Sequence, residues 1–172
     1  MDLVLAPDKR LRIKTKPVKK INGGLLELTK QMIKKTKTFK DPEGVGLAST
    51  QIGKDEQYFI AKVDEKVFKA FFNPKILSLG KKTKVYFEGC LSIPDYYGEV
   101  ERSLSVKVEY QNEAGEKVTE TLKDFSAWVF QHETYHLNGI LFIDHVLTNK
   151  SRLFKCTGKD KAGADMFEEV SL

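Results

Sequence analysis

Apolar positions recur at two different periods along this chain, and the alternation between them outlines the elements. Between residues 25 and 37, Leu25, Leu28, Met32, Ile33 and Thr36 fall at helical spacing with lysines opposite, which predicts an amphipathic surface helix. Gly23 and Gly24 precede it, and Asp41-Pro42 blocks its continuation. Upstream, to about Pro17, the chain reads as irregular, with a turn signal at Pro7-Asp8. Residues 57–63 and 67–72 are runs of aromatic and aliphatic side chains separated by Asp64-Glu65; they predict two strands, the second ended by Asn73-Pro74. Leu104, Val106, Val108 and Tyr110 alternate strictly with polar residues, the mark of a strand with one buried face. A turn at residues 112–116 returns the chain through residues 118–122, completing a hairpin. A second helix is expected from about Phe125 to Asn138, with Gly139 suited to end it. Beyond it come an apolar run at 140–146, a short helix at 149–154, a mobile loop at 156–165 and a last edge strand at 166–172.

Many strands with two or three helices imply an α+β fold, antiparallel sheets packed around the second helix, with an amphipathic helix near the N-terminus. At 172 residues, with no repeat or linker, one domain over 1–172 is expected. The 41% hydrophobic and 31% charged content fit a soluble protein. No apolar run approaches the roughly 20 residues that span a bilayer, and the first ten residues lack the apolar core of a secretory signal. A cytoplasmic location without membrane contact is therefore expected. The net charge of +5 comes with a crowd of lysines, Lys16 to Lys37, in the first quarter. A solvated lysine face accounts for them; attraction to an acidic partner such as ribosomal RNA is the alternative, and nothing marks a sequence-specific nucleic-acid module.

Chemistry concentrates in His132-Glu133-Thr134-Tyr135-His136. On a helix, residues four apart share a face, so His132 and His136 can aim at one ion. Glu133, about 100° around the helix, sits where a carboxylate can take a proton from a water on that ion. A hydrolytic metal site usually has three protein ligands and an open position. In one protease group the third His lies six residues after the second; here that position is Phe142, and His145 is out of register. Cys90, after Gly89 at the end of a probable strand, is the other candidate, against the commoner role of a buried inert cysteine. Cys156 lies in a charged loop without a motif. Residues 43–53 lack the Lys and Ser/Thr of a phosphate loop and read as a glycine-bearing turn. There Gly44, Gly46 and Ala48 let the backbone pass close to something, which makes Gly46 a candidate site residue, and Gln51 is a neutral donor for a ligand.

Three segments in order, residues 44–51 (Gly-Val-Gly-Leu-Ala-Ser-Thr-Gln), 88–92 (Glu-Gly-Cys-Leu-Ser) and 131–139 (Gln-His-Glu-Thr-Tyr-His-Leu-Asn-Gly), resemble the signature segments of the peptide deformylases. Residues 6–12 and 140–144 share the likeness, which covers about 3–147. The resemblance implies removal of the formyl group from N-terminal formylmethionine of nascent polypeptides. It implies a divalent metal on Cys90, His132 and His136, typically Fe(II), with zinc or nickel as substitutes. It makes Glu133 the proton acceptor and donor, with the Gln51 amide and the Leu91 backbone N–H stabilising the oxyanion. Val45, Phe125, Trp128 and Val129 become candidates for a methionine pocket, and Glu88 with Arg102 a structural ion pair behind the site. Two positions depart from the family pattern: Tyr135 stands where an acidic residue is usual, and Ser49 where alanine is. A transient contact with the ribosome would fit such a substrate. The alternatives are a peptidase or amidase acting on another N-acyl peptide, and a deformylase-like binding protein.

Overall fold

The computed structural model describes residues 1–40 and 42–171. The expected helix stop at Asp41 and the strand end at Leu172 lie outside the described residues. Helix α1 (Gly23–Thr36) turns Leu25, Thr29, Met32 and Thr36 inward. Its first turn is capped by Asn22, whose side-chain oxygen accepts from the Leu25 N–H at 2.9 Å.

Two antiparallel sheets carry the rest. The first has the order β1-β2-β3-β6-β7, built from β1 (Gly46–Ala48), β2 (Tyr58–Asp64), β3 (Val67–Leu79), β6 (Ser105–Gln111) and β7 (Lys117–Lys123). The second has the order β4-β5-β8-β9, built from β4 (Thr83–Cys90), β5 (Ile93–Ser103), β8 (Leu153–Lys159) and β9 (Asp165–Val170). Helix α2 (Asp124–His136) lies between them. On one side Phe130 meets Phe59 and Phe71 edge to face, with centroids 5.1 and 5.2 Å apart. Burying a side chain of that size stabilises by about 1.5–3 kcal/mol. The opposite side of α2 faces β4. Helix α3 (Phe142–Asn149) packs beneath β5, where Gly98 has no room for a Cβ beside Val146.

Five local expectations are corrected. Residues 43–53 are not a turn alone: β1 occupies their centre, followed by a 3₁₀ turn over Ser49–Ile52. Asn73-Pro74 does not end β3. Asn73 takes a left-handed φ of 51°, its side chain bonds the backbone of Val18 and the Gln111 amide, and the ladder resumes at Lys75 after a register shift. The bulge absorbs the missing proline N–H. The short helix is at 142–149, not 149–154, because Asp144 caps it by accepting from the Leu141 N–H at 2.7 Å, and Lys150 ends it at a φ of 52°. The loop expected at 156–165 is confined to 160–164, between strands: Leu153 pairs with Gly98, and β9 pairs back along β8. Finally, β5, the longest strand of the second sheet, has no counterpart among the sequence-predicted elements.

The N-terminal segment runs over all three parts of the interior. The Val4 N–H donates to the Gln51 carbonyl, Ala6 to Ser92 and Thr15 to Leu137, at 2.8–2.9 Å. No described helix is long and apolar enough to cross a membrane.

Candidate active site

Alternation along β4 sends Glu88 and Cys90 inward toward α2, both nearly inaccessible to water. The four-residue spacing on α2 turns His132 and His136 toward them. The Cys90 Sγ lies 3.3 Å from His136 Nε2, and one donor atom from each of Cys90, His132 and His136 falls within 4.8 Å of the others. That spread is within a few tenths of an ångström of what one ion with ligand bonds of about 2.0–2.3 Å can bridge.

Behind this trio, Glu88 carries no exposed surface and accepts four hydrogen bonds. Arg102 donates through Nε and a terminal nitrogen at 2.7 and 2.9 Å, Trp128 through its indole N–H at 2.8 Å, and His132 through Nδ1 at 3.0 Å. With Nδ1 committed to Glu88, the His132 Nε2 is left for the ion. Burial alone would raise the Glu88 carboxyl, but its bonds to His132 and Arg102 prevail and hold it far below the usual carboxylate range. Burial also opposes charge on His132, yet the Cys90 sulfur and Glu88 carry its imidazole up to about 10. His136 is pushed well below its usual value, first by burial and then by the His132 charge. These surroundings hold a positive charge at His132 and an uncharged imidazole at His136. A divalent cation in place of the His132 proton would meet the same negative surroundings, so the residues fit a metal.

Glu133 is buried beside them, and its Oε2 has no hydrogen-bond partner among the described residues. Burial pushes its carboxyl up to about 7, against the pull of His132. The position is sterically prepared: a Cβ on Gly46 would stand 2.2 Å from the Glu133 carboxylate, so only glycine lets β1 pass there. Gln51 is oriented from both ends. Its Oε1 accepts from the Ala48 N–H at 2.8 Å, so its Nε2 points at Ser92 Oγ, 3.1 Å away, and at Cys90 Sγ, 3.4 Å away.

These groups open onto one cavity of about 240 Å³. Its wall carries Val45, Phe125, Trp128 and Val129, together with Gln51, Cys90, Leu91, His132 and Glu133. Every sequence-predicted site residue thus borders this cavity except His136, which lies deeper, beside Cys90. Tyr135 points away from it: Arg102 sits over the Tyr135 ring at 5.0 Å, and His145 packs edge-on at 4.5 Å while its Nε2 approaches Arg102 at 3.3 Å. Sequence reasoning weighed His145 only as a metal ligand and gave Ser92 no role of its own. His145 carries no signal, since its partner comes from a strand that was not foreseen. Ser92 does carry one, two residues past the candidate ligand.

Comparison with known proteins bears on this geometry directly. The profile of the polypeptide deformylase family matches residues 1–152, nearly the whole chain up to β8. This chain belongs to that family. A peptide deformylase from Mesorhizobium japonicum is 42% identical over 168 residues, which span 93% of this chain and 94% of the relative. The crystal structure of the Thermotoga maritima peptide deformylase superposes with a TM-score of 0.77 at 42% identity, covering 83% of this chain and 95% of that one. The structure of a Synechococcus elongatus peptide deformylase in complex with actinonin gives the same TM-score at 35% identity, covering 84% and 78%. The deformylase profile stops where the β8–β9 hairpin begins.

Proposed function

We propose that this deformylase hydrolyses the N-terminal formamide of formylmethionyl polypeptides through Cys90, His132 and His136 as metal ligands and Glu133 as the proton carrier. One observation carries the reading: a buried carboxyl whose Oε2 has no hydrogen-bond partner among the described residues stands beside three converging metal donors at an apolar cavity. A divalent ion there supplies Lewis acidity, which makes a water acidic near neutral pH and polarises the formyl oxygen. Glu133, poised near neutrality by burial, takes the proton of the attacking water and passes it to the departing amine nitrogen. Formate and a free amino terminus result. Gln51 Nε2 has one N–H on Ser92; the other, turned toward Cys90, donates to the oxyanion together with the Leu91 N–H. Both are neutral donors, so they favour the oxyanion without holding the product formate as a cation would.

Val45, Phe125, Trp128 and Val129 receive the methionine side chain. The peptide backbone has two sheet edges to follow, since β1 and β4 are edge strands of their sheets and both reach the cavity. Iron(II) is the ion we assign to the thiolate and two imidazoles, with zinc or nickel as replacements. The same reading treats residues 1–172 as one catalytic unit working in the cytoplasm, where nascent chains are made. The exposed lysines of α1 support an approach to the anionic ribosome by charge alone.

The test is formate release from a formyl-Met peptide by protein loaded anaerobically with Fe(II), compared with metal-free protein. Metal-dependent formate is expected. A loaded protein that binds one ion per chain and releases no formate would direct attention to another acyl substrate.

A further inference from the structure

The second sheet has an outer face that the chemistry above does not use. Along β4, the residues between those facing α2 point outward, and Phe87 is among them, 45% exposed. Tyr97 on β5 stacks on it, with centroids 5.4 Å apart and planes 8° from parallel. Phe154 on β8 and Phe167 on β9 meet Phe87 edge to face at 5.4 and 5.1 Å, and Phe167 meets Tyr97 at 5.2 Å. Phe167 is itself 39% exposed. Four aromatic rings therefore share one open face. The cluster is continuous with the catalytic cavity, because Phe87, Gly89 and Tyr97 belong to the same wall as Cys90 and Glu133. Gly89 keeps that passage open: the Tyr97 ring lies across it, and a Cβ there would stand 2.7 Å from the ring.

Strand alternation says which substrate residue meets this face. The methionine pocket is formed by α2, on the inner side of β4. In a peptide extended along the β4 edge, successive side chains alternate sides at about 3.3 Å per residue. The second side chain then faces outward, toward Phe87 and Tyr97. We propose that these two rings, buttressed by Phe154 and Phe167 of the β8–β9 hairpin, form a subsite that selects an aromatic or large apolar second residue. The proposal rests on the deformylase reading of the same cavity. It gives a role in specificity to a hairpin that lies beyond the family-matched segment.

Formate release is measured for formyl-Met-Phe-Ala and formyl-Met-Ser-Ala with the Fe(II) enzyme. The expected kcat/KM is about tenfold higher for the Phe peptide, with the difference carried by KM. In Phe167→Ala, and separately in Phe87→Thr, that ratio falls toward one; being a ratio within each variant, it is independent of the fraction folded. Equal kcat/KM for the two peptides in the unmodified enzyme, or a preference that survives in both variants, overturns the subsite while leaving the deformylase function standing. Formate from neither peptide overturns the functional reading and this inference with it.

Discussion

At Gly46 a missing methyl group determines where a carboxylate sits. Gly46→Ala would force a Cβ against Glu133, so kcat is expected to fall by about 10²-fold, the cost of displacing a catalytic group by an ångström. Metal analysis of the same variant should return an unchanged ion content, because no ligand is touched. Glu133→Gln should give the same dissociation of effects, with kcat lower by about 10²–10⁴-fold and the ion retained. A variant of either kind that kept full turnover would remove Glu133 from the mechanism. The residue scale is also where the sequence was most legible. His132, Glu133 and His136 announce themselves by spacing, since a helix converts a sequence interval into a direction. Gln51 was visible as a donor, but its orientation was not, because that depends on the Ala48 N–H and Ser92. Tyr135 looked like a departure beside the ligands; it faces Arg102 instead, whose guanidinium lies over its ring.

At the scale of elements, β4 and α2 are held in register by Glu88. Its carboxylate, itself fully buried, bonds the buried Arg102 on β5 as well as the partly buried Trp128 and His132 on α2. Glu88→Ala leaves a guanidinium buried without its partner, a loss of about 3–5 kcal/mol by urea denaturation. It also frees the His132 ring, so metal affinity measured by chelator competition should weaken about 10–100-fold. If stability fell and affinity did not, Glu88 would be a structural anchor only. Helix α1 and the β6–β7 hairpin were readable because each buries one clean face, and α2 was readable from the four-residue spacing of its histidines. The β4–β5 pair was not. Its strands mix apolar and polar residues on the solvent face, where Val85 and Phe87 are exposed, and carry glycines at Gly89 and Gly98, where neighbouring side chains fill the space. The stretch from Cys156 to Asp165, rich in Gly, Lys and Asp, looks like a loop; its strand residues come from pairing of β8 with β5 and β9, which a local pattern does not contain.

For the whole molecule, an ion held as proposed by Cys90, His132 and His136 would join a helix seated on one sheet to an edge strand of the other. At an ion concentration about 100-fold above Kd, binding adds about 2.7 kcal/mol. Stripping the ion with a chelator should therefore lower Tm by roughly 5–10 °C in a chain of this size. The metal-free protein should also respond to pH through Glu133. Its folded-state pKa of about 7 exceeds the ordinary 4.5, so the folded state binds the proton more tightly. That contribution is complete below about pH 4.5 and is lost as pH rises through about 7. Metal-free Glu133→Gln, which has no proton to lose, should therefore gain in Tm relative to the unmodified protein between pH 5 and pH 8. A constant difference across that range would place Glu133 in a more hydrated setting than the structure shows.

The N-terminal strap has a kinetic consequence. Its backbone bonds tie residue 4 to 51, 6 to 92 and 15 to 137, so each closes a long loop whose entropy must be lost before any contact is gained. The two histidines, by contrast, come together as soon as one helix forms. During folding, two of the three proposed ligands can thus precede the proposed oxyanion donors, and recovery of metal binding should run ahead of recovery of turnover.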